Sequence, residues 1–137
     1  MSIKHERIAA LAAQFSGMDV DPRYGGYFTL FNRQEFYAAH DVLEDLWLAD
    51  RQGVNGNFYK GLIQLAGAFV HLQKNRLRPS CALFQLAQAN LENYPADHER
   101  LDLKMVLALI AGWRRQLESG AANPLTAVNV PQLALHK

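Results

Sequence analysis

The sequence predicts an all-α protein, with about five helices in a compact bundle or array and an extended C-terminal tail. Three observations lead there. Apolar residues recur at three- and four-residue steps through most of the 137 positions, the period of a helix with one buried face. Glycine, proline, asparagine and aspartate gather between those stretches, which keeps the connections short. No segment alternates apolar and polar residues over the length of a strand, so no sheet is expected. With 50% hydrophobic and 20% charged residues, the chain can bury a core without a disulfide or metal staple. A single domain over 1–137 is the expectation.

The first helix is expected from about Ser2 to Phe15, capped by Ser2, with Ile8, Leu11, Ala12 and Phe15 on one face. Ser16 to Tyr27 reads as loop, because Pro22 and the Gly25-Gly26 pair disfavour a continuous helix. Asn32 reads as the N-cap of the second helix, with Glu35 closing a capping box and Phe31 and Phe36 forming a hydrophobic staple. Phe36, His40, Leu43 and Trp47 then share a face, and the helix should end near Ala49. The third helix, about Phe58 to Lys74, is apolar nearly all round and therefore central. Gly61 and Gly67 weaken it by about 1 kcal/mol each, which close approach of a neighbouring backbone would offset. Pro79 fits the first turn of a fourth helix running to about Asn93, and Pro95 stops it. Asp97 reads as the cap of a fifth helix reaching Glu118, with Gly120 beyond. Leu125, Val128, Val130, Leu133 and Leu135 would lie extended against the body.

Charge and motifs exclude several functions. Fourteen basic and 13 acidic residues leave a net charge of +1, so no field recruits nucleic acid or an anionic membrane, and neither is an expected partner. The N-terminal residues lead into no long apolar run, so a cytoplasmic protein is expected. One cysteine, Cys81, excludes an intramolecular disulfide and reads as an inert thiol. Phosphate-binding, dinucleotide-binding, nucleophile-elbow and H-E-x-x-H signatures are missing. Many apolar side chains on few short helices are compatible with a homodimer.

The unusual feature is a set of polar residues on faces that should be apolar. His40 interrupts the Phe36–Leu43–Trp47 stripe, and Glu44 follows it by one turn, within reach of the imidazole. Gln64 and His71 lie two turns apart on one face of the third helix, and Lys60 extends that line. If the second and third helices pack antiparallel, the two lines face each other, with Asp41 at the edge about 100° around from His40. Trp47 shapes the same region. Three readings follow. In the first, His40, Glu44, Gln64 and His71 close a buried polar network in a non-enzymatic binding or regulatory protein. In the second, His40, Glu44 and His71 hold a divalent metal for hydrolysis. In the third, a small molecule sits between the two helices, oriented by Gln64 and His71.

The stretch Phe31-Asn32-x-x-x-Phe36-Tyr37-x-Ala39-His40-Asp41-x-x-Glu44-x-x-Trp47, followed by Gly61-Leu62-Ile63-Gln64-Leu65-Ala66 and then His71, resembles domain-of-unknown-function family 309. The resemblance covers roughly Phe31 to Tyr94 and implies a small all-helical protein with emphasis on His40, Glu44, Trp47, Gln64 and His71. It implies no activity. Ala38 stands where the family often carries glutamate, and Lys60 where it often carries glutamine. If that glutamate is a metal ligand elsewhere in the family, this chain lacks it, which weakens the metal reading here.

Overall fold

The computed structural model describes residues 6–8, 10–11, 13–15, 17–120 and 122–137. It is an all-α array with an extended tail. The expected N-terminal helix lies partly outside the described residues, its Ser2 cap and Ala12 included. Residues 6–8 and 10–11 are helical, and Ala13–Phe15 form a 3-10 turn. Five longer helices follow: α1 Pro22–Asn32, α2 Phe36–Asp50, α3 Gly56–Gln73, α4 Leu77–Leu91 and α5 Leu103–Glu118.

Helix α1 corrects the loop expected over Ser16 to Tyr27. Asp21 caps it, its carboxylate accepting from Arg23 N, and Pro22 takes the first turn that proline favours. Tyr24, Tyr27, Phe28 and Phe31 fall at helical spacing and are all buried. Their burial offsets the cost of two glycines in a helix interior. Gly25 has a packing reason as well. A Cβ there would stand 2.8 Å from the Phe15 ring.

Asn32 ends α1 and does not cap α2, a second correction. The turn after it is a Schellman motif: Gln34 takes φ 63°, its N–H reaches Phe31 O at 2.9 Å, and Glu35 N–H reaches Leu30 O at 2.9 Å. Asn32 instead clasps the tail, its amide donating to Leu133 O at 2.6 Å and accepting from Leu133 N at 2.7 Å. Glu35 pairs with Arg7 and makes no cap bond. Phe31 and Phe36 do meet, edge to face at 5.1 Å.

Helix α3 is central, as its all-round apolarity predicts. Phe69 packs on Phe31, Phe36, Phe84 and Trp113 at centroid distances of 5.6, 5.0, 5.2 and 4.9 Å. One side chain thus ties α3 to α1, α2, α4 and α5. Gly61 lets α4 approach, since a Cβ would stand 2.7 Å from Leu91 Cγ. The neighbour is therefore a side chain, where a backbone was expected. The start of α3 is capped from afar: Phe58 N donates to the Tyr94 hydroxyl at 3.0 Å, and that hydroxyl donates to Val54 O. Its end is a second Schellman motif, with Asn75 at φ 56° and Arg76 N–H bonded to His71 O at 2.8 Å.

Asp97 does not cap α5, and a small sheet is present where none was expected. Asp97–His98 and Leu101–Asp102 form a two-stranded hairpin whose turn residues, Glu99 and Arg100, both have positive φ. Asp102 then caps α5, accepting from Met105 N at 3.0 Å. The tail lies extended, bridging Leu101 through Leu135 and burying Leu133, but Val128, expected against the body, is exposed. No helix among the described residues is long and apolar enough to cross a membrane.

Candidate functional site

Helices α2 and α3 do bring His40 and His71 together. Both line one pocket of about 260 Å³, with Tyr37, Gly67, Val70, Lys74 and Leu83. Helical spacing explains most of this set. Tyr37 precedes His40 by three residues, Lys74 follows His71 by three, and Gly67 precedes His71 by four, so each shares its histidine's face. The Tyr37 ring stacks on the His40 ring at 6.0 Å and 26°. Leu83 comes from α4, and Gly67 makes room for it. A Cβ at residue 67 would stand 3.2 Å from Leu83 Cδ1.

The two imidazoles share an uncommon state. Nδ1 of each is buried with no hydrogen-bond partner. Among the described residues only Ser80 Oγ and Arg114 Nε share that condition, and Arg114 has other nitrogens bonded to Gln88 and Glu118. An orphaned N–H inside a protein is rarer than an under-used acceptor. The favoured tautomer therefore buries a lone pair at Nδ1 and carries its proton on Nε2. Burial holds the His71 pKa below the usual histidine range, and the positive charges of Arg76 and Lys74 push it the same way. The Schellman turn is what sets those two cations beside it.

The remaining predicted residues go elsewhere. Gln64 turns toward α4, where its Oε1 accepts from Asn90 Nδ2 at 2.7 Å. Glu44 is half-buried, and among the described residues no hydrogen bond or ion pair joins it to His40. Trp47 packs half-buried against the core, Asp41 is exposed, and Lys60 is exposed on α3. The expected four-membered network is thus corrected. Gln64 and Asn90 close as a pair of their own, and the imidazoles stay open. Likewise, among the described residues no group of three or more His, Cys, Asp and Glu side chains stands together to hold a metal ion. His40, Glu44 and His71 do not form the expected trio.

A larger cleft of about 380 Å³ opens where the tail crosses α1. Its Asn32 amide is already paired with Leu133. In the histidine pocket, by contrast, two lining residues carry buried ring nitrogens with no partner.

These features define a small all-α protein with a histidine-lined pocket formed by a helical hairpin and the helix that follows it. Residues 25–83 match the family model described as Domain of unknown function (DUF309), so this part of the chain is similar to that family. Every residue lining the pocket falls within the matched segment. No curated protein and no solved structure matches the chain.

Sequence reasoning singled out both histidines but missed Tyr37, Gly67, Val70, Lys74 and Leu83. Helical spacing from His40 and His71 carries a signal for all of them except Val70, one residue before His71, and Leu83. Leu83 belongs to another helix, and its register is set only by packing.

Proposed function

We propose that this is a non-enzymatic binding protein whose ligand site is the pocket between α2 and α3. One observation carries the reading. Two imidazoles border one pocket, and Nδ1 of each is buried with no hydrogen-bond partner. Packed interiors pair nearly all their polar atoms, and a pair left open beside a cavity is what a ligand would complete. The lining supports the same view, with Val70 and Leu83 supplying apolar wall and Tyr37 an aromatic one. Hydrolysis with a bound metal has weaker support, because the carboxylate it needs does not gather with the two histidines.

A thermal-shift screen of small anions, cations and neutral molecules tests the proposal. The comparison is between the natural protein and a His40→Leu/His71→Leu double variant. At least one compound should raise Tm in the natural protein and leave the variant unmoved. If every compound that stabilises the natural protein stabilises the variant equally, or if none stabilises either, the pocket is not a binding site.

A further inference from the structure

We infer that the pocket takes a small organic anion, a carboxylate on a short apolar body, held by the Nε2–H groups of His40 and His71 beside the Lys74 ammonium. This rests on the pocket being a binding site and goes on to name what fills it.

The tautomer is the first ground. With both Nδ1 atoms buried and unpartnered, the less costly placement of each ring proton is on Nε2, the nitrogen farther from the backbone. Two neutral rings then offer the pocket two donors. Two N–H groups on rings that border one pocket suit the lone pairs of a carboxylate.

Charge is the second. Lys74 lines the pocket, and the turn that ends α3 brings Arg76 near His71. The carboxylates on the same stretch of α2, Asp41 and Glu44, are not among the lining residues. A cationic guest would meet an ammonium with no carboxylate among the lining residues, and a neutral one would leave that ammonium unused. The apolar wall is the third ground. Val70, Leu83 and the Tyr37 ring call for a hydrocarbon body beside the charged head, and about 260 Å³ leaves space for a short one.

The same tautomer disfavours a metal ion. Ligation through Nε2 would move the ring proton to Nδ1, where it would be buried with no acceptor. Metal-bound histidines nearly always pass that second N–H to a carboxylate, carbonyl or water.

Long-range proton–nitrogen correlation spectra of the histidine rings in the intact protein test the inference directly. The probes are sodium isobutyrate, isobutyramide, isobutylamine, inorganic phosphate and zinc chloride. Both rings should appear in the Nε2–H form. Isobutyrate should shift both Nε2 signals saturably and bind at least about fivefold more tightly than its amide, the margin a charge-assisted bond adds. Lys74→Gln should remove most of that margin, weakening isobutyrate far more than isobutyramide. Rings found as Nδ1–H, or tighter binding of the amine, amide, phosphate or zinc, would overturn the anion while leaving the pocket a binding site. Silence of every probe would overturn both.

Discussion

Gln64 and His71 lie two turns apart on one face of α3, and α4 treats them differently. Beside Gln64 it presents Asn90, whose amide closes a 2.7 Å hydrogen bond, and the seam tightens there until Gly61 has no space for a Cβ. Beside His71 it presents Leu83, which has no polar atom to offer, and the seam opens into the pocket with Nδ1 unpaired. The difference lies in the partner helix. A polar residue on a buried face is architecture where the neighbour answers it and a candidate site where it does not.

The largest expected effect contrasts the sealed side of α3 with the open one. Phe69, two residues before His71, is wholly buried among four aromatic rings. Phe69→Ala should cost about 3–5 kcal/mol by creating a cavity no neighbour can fill. His71→Leu orphans no hydrogen-bond partner and should stay within about 1 kcal/mol of the natural protein. Urea melts of the two variants check this. A loss for His71→Leu approaching that of Phe69→Ala would mean the pocket is core after all.

A middle-sized effect tests the closed level. Asn90→Leu leaves Gln64 Oε1 without its donor in a part-buried seam and should cost about 1–3 kcal/mol. Gln64→Leu/Asn90→Leu removes both partners and should cost less than the sum of the single losses. Strict additivity in a double-mutant cycle would show that the two amides are not coupled, and the contrast between the two levels would lose its closed half.

How far this contrast was legible in the sequence follows from which contacts are local. The helical period alone places His40 and His71 each on a face that should be apolar and makes α3 central, because both are properties of one segment's own pattern. Gln64 occupies the same line as His71, and nothing within α3 distinguishes them. Asn90 does, through an α4 register that only packing sets. Asn32 misleads for a related reason. It looks like a cap beside Glu35, but its partner, Leu133, lies 101 residues away. In α1 the Gly25-Gly26 pair suggests a loop, while the opposing signals, Asp21-Pro22 and the Tyr24, Tyr27, Phe28, Phe31 spacing, act through burial against Phe15 and α3. The Glu99-Arg100 turn holds positive φ without glycine, so the hairpin before α5 leaves no turn signature to read.

The smallest expected effect is electrostatic and separates the open level from the rest of the molecule. Burial, with Arg76 and Lys74 nearby, keeps the folded pKa of His71 below its usual value of about 6.5. The groups facing it across the pocket are His40 and Tyr37 from α2 and Lys74 on its own helix, none of them a carboxylate. As pH falls, the unfolded chain takes up the proton first. The stability that neutral His71 contributes is therefore present above the unfolded pKa and is lost as pH falls through the folded one. Between about pH 7.5 and pH 5.5, Tm should drop more in the natural protein than in His71→Leu, by a few degrees at most. Adding a bound anion should oppose that drop, since it favours the protonated ring. If the two proteins lose Tm in parallel, His71 does not titrate in a site of this kind, and if His71→Leu loses more, an unseen negative charge faces the ring.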